Sequence, residues 1–228
     1  MREIASGVSE IPGELRMSAG WYFPLRTLVV RLEDGGLWVH SPVRLTDEIA
    51  EAVDALGPVC FIVAPNNLHH LFAGQWKERW PEAQLIGAKG LVKKRPDLSF
   101  DGTLDQESVQ FPGIERVFVA GVPMAGETVF FHRDSKTLIC TDLIFNLDGN
   151  NTKGLLSGMI FRMFSAFGRP AQSRLLRFAT KDRARAGSSV KQMLEWPFER
   201  ISMCHGYVIE SDAKDTLRHA CRWMLAAA

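Results

Sequence analysis

The chain has 228 residues, 46% of them apolar and 23% charged, with a formal net charge of +1. That composition suits a folded globular protein with room for one large domain and a full hydrophobic core. It excludes a disordered chain, and so small a net charge gives no electrostatic reason to expect nucleic acid as a partner.

Residues 28–32 and 37–40 are apolar-rich runs separated by Glu33-Asp34-Gly35-Gly36, a hairpin signal whose glycines can take positive φ. Residues 46–56 carry Ile49, Val53 and Leu56 at helical spacing, with Thr46 as N-cap and Gly57 past the end. A wholly apolar strand follows at 59–64. It runs into Pro65-Asn66-Asn67-Leu68-His69-His70, and a helix is predicted over 71–80, stopping before Pro81. Residues 84–87 read as a short strand and 93–96 as an exposed loop.

Residues 116–122 form another apolar run. Residues 128–132 and 137–140 flank Arg133-Asp134-Ser135-Lys136 as a second hairpin, which ends at Thr141-Asp142-Leu143-Ile144-Phe145-Asn146. The stretch 155–194 is helical, with a break near Gly168-Arg169-Pro170. A last strand at 201–204 meets His205-Gly206, and Asp212 opens a C-terminal helix. Hairpins first, alternating strands and helices next and helices last suit mixed sheets with helices outside them. The whole of 1–228 reads as one domain.

Cys60, Cys140, Cys204 and Cys221 have no metal-ligand spacing, and the first three lie in apolar strand-like runs and read as buried thiols. No leader pattern and no membrane-length apolar run is evident, so a reduced, cytoplasmic location is expected.

Chemistry concentrates at strand ends. His69 with His70, Glu127, Asp142 and His205 each stand at the edge of an apolar run, where side chains distant in sequence can converge. Imidazoles with a carboxylate are a donor set for zinc, iron or manganese. Each residue also has a plain structural reading. His69 can be a surface imidazole, Asp142 a cap, His205 a core imidazole on a carbonyl, and Glu127 a turn residue. His40, His132 and Asp134 read as polar groups on hairpin surfaces.

Four segments give these positions a recognisable order: Pro65-Asn66-Asn67-Leu68-His69-His70-Leu71-Phe72, Gly121-Val122-Pro123, Glu127-Thr128-Val129-Phe130-Phe131-His132 and Thr141-Asp142-Leu143-Ile144-Phe145-Asn146. On them the chain resembles the metallo-β-lactamase superfamily, and more closely its DUF4336 branch, over roughly residues 15–225. The resemblance implies an αββα sandwich, two mixed sheets between helical layers, with a metal site at one edge. Anchoring the last histidine of the HxHxDH motif on His70 places Pro65 and Asn67 at its first two histidines and His69 at its aspartate. Pro123 falls in the turn that carries the next histidine, while Asp142 and His205 match the bridging aspartate and the final histidine.

One metal's shell is thereby lost, since a proline offers no side-chain donor. The resemblance leaves His70, Asp142 and His205 for the other metal, with His69 or Glu127 as candidates to complete its shell. Glu127 or His69 would then act as a base. It therefore implies at most one divalent ion (zinc, iron or manganese), a dinuclear site being unexpected. Two functions stand side by side: a mononuclear hydrolase of a small ester, thioester, lactone or phosphoester, and a metal-free descendant that binds a small anionic ligand or a partner protein.

Residues 153–200 hold ten lysines and arginines against three acids, next to the apolar cluster Met159, Ile160, Phe161, Met163, Phe164 and Phe167. This basic helical insertion, about 151–198, reads either as a cap selecting an anionic substrate or as an amphipathic surface. Such a surface would meet a second copy in a homodimer or, less in keeping with the sequence, anionic lipid.

Overall fold

The alternation of side chains along each strand sorts the apolar residues into separate layers. In a computed structural model, Leu28 and Val30 of one strand face one core and Val29 faces another. Ile139 likewise faces opposite to Leu138 and Cys140. The structure describes residues 1–164 and 166–228, with the backbone alone at Ala19.

The first sheet has seven strands in sequential order: β1 (Arg2–Ala5), β2 (Val8–Arg16), β3 (Tyr22–Arg31), β4 (Leu37–His40), β5 (Val59–Ala64), β6 (Gln84–Gly87) and β7 (Gly102–Thr103). Pairing is antiparallel up to β4 and parallel from β4 to β7. The second sheet has four strands. Antiparallel β8 (Ile114–Phe118), β9 (Thr128–His132) and β10 (Thr137–Cys140) are joined by β11 (Arg200–Met203), which pairs parallel to β10.

Val30, Trp38, Val63, Phe130 and Ile139 fill the space between the sheets. Outside the first sheet, Val53 of α1 (Asp47–Asp54) and Trp76 of α2 (Ala73–Arg79) pack on Ile62 and Leu85. Outside the second, the layer is built by α6 (Arg183–Glu195), α7 (Ala213–Ala220) and α8 (Arg222–Leu225), which bring Val190, Leu217 and Met224 onto Leu138 and Ile201. The result is the four-layered αββα sandwich. Thr46 accepts the Ile49 N–H at 3.3 Å as the expected N-cap of α1. No helix is long and apolar enough to cross a membrane among the described residues.

Three features differ from the sequence reading. The hairpin β1–β2 and the first half of β3 carry no strong apolar period: Pro12 and Gly13 interrupt β2 while Glu10, Glu14 and Arg16 punctuate it. The basic loop at 93–96 is instead the end of a short helix, α3 (Lys89–Lys94). The helical span is three pieces, α4 (Leu155–Met163), α5 (Arg174–Ala179) and α6. Of these α6 belongs to the outer layer, while α4 inserts Phe161 against Trp21, Phe23 and Phe145.

His40 and His132 are not surface groups. Both are buried, because β4 and β9 are covered on both faces. His40 stacks on Trp38 with 5.2 Å between ring centroids, and neither of its ring nitrogens has a hydrogen-bond partner among the described residues. Burial first, and then the nearby His69, push its pKa down from 6.5 to about 3. The unfolded chain therefore takes up this proton at a higher pH than the folded one. His40's contribution to stability is complete above pH 6.5 and drains away as the pH falls from 6.5 towards 3.

Glu127, raised from 4.5 to about 7, pulls the opposite way between those values, so the difference from a variant isolates His40. Urea unfolding of His40→Phe should show a chain no less stable than the parent at pH 7, and relatively more stable by about 2 kcal/mol at pH 5. Parallel stability curves for the two proteins would remove His40 from the acid response.

Candidate metal centre

The centre sits where β5, β10 and β11 all end on the same edge of the sandwich. After β5 the chain turns at Pro65-Asn66-Asn67, and buried Asn66 makes the turn. Its Oδ1 accepts the N–H groups of Leu68 at 2.8 Å and His69 at 2.7 Å, an Asx turn. Its Nδ2 donates to Asp142 Oδ2 at 2.6 Å and Thr141 Oγ1 at 2.8 Å. One amide thus fixes both the turn that presents His69 and the carboxylate that faces it.

Asp142 follows β10, and Glu127 sets its backbone. The buried Glu127 carboxylate accepts the Thr141 N–H at 2.6 Å and the Asp142 N–H at 3.1 Å. His205 follows β11. Gly206 beside it has φ +105°, and a Cβ there would lie 1.9 Å from the Asn146 carbonyl oxygen, so the turn that carries His205 requires glycine. The His205 ring is stacked on Phe145 at 4.8 Å and met edge-on by Phe23 at 4.5 Å.

His69, Asp142 and His205 converge. The two imidazole Nε2 atoms lie 3.1 Å apart, and the Asp142 carboxylate meets them with one oxygen each, Oδ1 at 3.3 Å from His205 Nε2 and Oδ2 at 3.4 Å from His69 Nε2. Donors about 2.0–2.1 Å from a tetrahedral zinc lie about 3.3 Å from one another. The spacing of the two imidazole nitrogens is close to this, and one ligand atom from each of the three residues lies within 4.8 Å of the other two.

Both imidazoles are also oriented from behind, as metal ligands are. His205 Nδ1 donates to the Pro24 carbonyl at 2.7 Å, which leaves Nε2 as the lone-pair nitrogen. His69 Nδ1 bonds the Ser41 hydroxyl at 2.7 Å, from a serine held at φ +54°.

The electrostatics call for a cation. Burial alone would raise the Asp142 pKa, but the two imidazoles outweigh it and hold the carboxyl well below its usual range. Burial would lower the His69 pKa, yet Asp142 and Cys204 together hold it well above 6.5. His205, buried and beside His69, is lowered despite Asp142. With no ion bound, a proton on His69 supplies the positive charge that Asp142 demands.

His70 is not brought to this cluster. The turn sends it the other way, where its Nδ1 accepts from Arg95 Nη1 at 3.0 Å and its carbonyl accepts from the same group. Burial, with Lys94 and Arg95, lowers its pKa to about 4. Glu127 lies behind Asp142, its carboxylate spent on backbone N–H groups. Pro65, Asn67 and Pro123 meet in a junction of another kind. Asn67 N–H donates to Ala125, its amide reaches the Pro123 carbonyl at 3.4 Å, and Thr128 N–H donates to the Pro65 carbonyl.

Asn66 is the residue the sequence reading missed. Its signal was the Asx-turn position, an Asn just after a strand with chain N–H groups two and three residues on.

A cavity of about 270 Å³ opens onto the three residues, lined also by Met17, Phe23, Leu68, His70 and Phe72. Solved structures with the same architecture are numerous. One is the DIM-1 metallo-β-lactamase exposed to ceftazidime, with TM-score 0.67 and 14% identity, covering 100% of this chain and 96% of that one. This is a metallo-β-lactamase-fold protein. The metallo-β-lactamase from Pontibacter korlensis matches it with TM-score 0.65 and 15% identity over 98% of this chain and 97% of that one. The FIM-1 enzyme from Pseudomonas aeruginosa, in its mono-zinc form, matches with TM-score 0.64 and 13% identity over 99% and 94%.

Within the metallo-β-lactamase fold, residues 19–93 match the family described as a domain of unknown function, DUF4336. That segment spans β3 to α3 and includes His69 and its turn. No curated protein matches the chain in sequence.

Proposed function

We propose that this metallo-β-lactamase-fold protein is a single-metal hydrolase of a small ester, thioester or lactone, with the ion held by His69, Asp142 and His205. The convergence of two imidazole nitrogens, 3.1 Å apart, on the Asp142 carboxylate carries the reading, because donors around one tetrahedral ion are spaced at about that distance. It is supported by the mono-zinc form of a protein with the same fold, FIM-1. A bound divalent ion would polarise the scissile carbonyl and lower the pKa of water from 15.7 to about 7.

The chain's own residues do the rest. Pro24 and Ser41 keep both Nε2 atoms facing the cavity-side carboxylate, and Asn66 fixes Asp142 Oδ2. Glu127 serves as the clamp on the Asp142 backbone, since both of its oxygens are engaged there. His70 lines the cavity as a neutral imidazole with its proton on Nε2, available to hydrogen-bond a substrate oxygen. Neither the cavity nor the chamber beside it is lined by lysine or arginine among the described residues, which favours an uncharged substrate over an anionic one.

A second reading has its own observation. The raised pKa of His69 lets a proton replace the ion, leaving a metal-free binding site. Equilibrium dialysis against zinc, iron(II) or manganese separates the two. One ion per chain is expected, together with hydrolysis of p-nitrophenyl acetate that a chelator abolishes and added metal restores. A chain that takes up none of the three metals is not a metallohydrolase.

A further inference from the structure

Beside the triad lies a second chamber, of about 320 Å³, whose wall is built by α4 and α5. Ile160, Phe161, Phe164 and Leu175 form that wall, and Trp21 and Phe145 stand opposite. The two polar lining residues described are Asp142, at the end it shares with the metal centre, and Ser173, whose hydroxyl already caps α5 by accepting the Leu176 N–H at 3.1 Å. Met17, Phe23, Leu68 and Asp142 line this chamber and the cavity over the triad alike, so the two are continuous.

The walls are preformed. Phe161 meets Phe23 edge-on at 5.2 Å and Trp21 at 5.8 Å, and Phe23 meets Phe145 at 6.3 Å, an interlocked aromatic set that resists collapse. The space opens to solvent where Leu68, Met124 and Leu175 are exposed, and its apolar walls give ordered water no partners. A chamber of this size and lining therefore calls for an apolar occupant.

We infer that it receives the unbranched acyl chain of the substrate, whose carbonyl then lies at the triad. At roughly 30 Å³ for each water-sized group, the space takes a chain of about ten heavy atoms at most. The inference rests on the hydrolase reading for turnover but not for binding. It makes α4 and α5 the elements that select chain length, and gives the exposed basic side chains of that span no part in recognition. Arg169, Arg174, Arg177 and Arg222 line a separate cleft that no triad residue reaches.

Calorimetric titration with butyrate, hexanoate, octanoate and decanoate tests it, on zinc-loaded and on chelated protein. Kd is expected to fall about fourfold per methylene in both, the equivalent of about 0.8 kcal/mol per buried CH₂, and to level off by about ten carbons. Phe164→Asp should abolish that length dependence. Leu175→Asp, at a half-exposed rim position, does the same if the first variant fails to fold. The matching p-nitrophenyl esters are followed alongside.

Length-dependent binding without turnover supports the chamber and sinks the hydrolase reading. Turnover with no dependence on length in either series overturns the chamber and spares the hydrolase. Neither binding nor turnover overturns the chamber too.

Discussion

An Asp142→Asn chain should keep its fold and lose its divalent metal, with affinity down by at least about 100-fold in calorimetric titration with zinc. Removing a group that merely orients a ligand typically costs 10–100-fold, so loss of the one anionic donor among three should cost more. The informative partner is His70→Ala. Its ring faces Arg95 and lies outside the His69, Asp142 and His205 cluster, so this variant should bind one zinc with the parent's affinity. If His70→Ala loses the metal and His69→Ala keeps it, the assignment of the two adjacent imidazoles is reversed. Circular dichroism of all three variants checks that the fold is intact.

Glu127→Ala should produce the largest loss of stability among these residues. It strips the acceptor from two buried backbone N–H groups, those of Thr141 and Asp142, and each orphaned group costs about 1–3 kcal/mol. A total of about 2–6 kcal/mol corresponds to a fall in Tm of roughly 4–24 °C for a domain of this size. Glu127→Gln keeps one acceptor oxygen and should recover part of the loss. A thermal melt of Glu127→Ala within about 2 °C of the parent would deny the clamp.

What could be read from the residues alone follows from how local each cause is. The αββα layers were legible because alternating runs such as 28–32, 128–132 and 137–140 declare two-faced strands, and Asp142 and His205 stood out as polar groups at the ends of such runs. Which of the two adjacent imidazoles turns inward was not legible. Counting along the motif selects His70, whereas the Asx turn at Asn66 points His69 at Asp142, and that turn is tied down by a bond spanning 76 residues. Gly206 was visible as a glycine, but the carbonyl of Asn146 that forbids a side chain there belongs to the fold. That the nitrogens of His40 find no partner among the described residues was equally hidden, since nothing within β4 reveals that both of its faces are covered.

The wiring of the centre has a consequence for how the chain acquires it. His69 meets His205 across 136 positions, His205 meets Pro24 across 181, and Asn66 meets Asp142 across 76. No half of the polypeptide contains the donor set, so it can come into being only when both sheets have docked, the slow, loop-closing end of folding. A ligand that requires such a late arrangement stabilises the global native state by RT ln(1 + [L]/Kd) rather than any fragment. Saturating metal should accordingly slow amide exchange in β4, β5, β10 and β11 by a common factor wherever exchange requires complete opening.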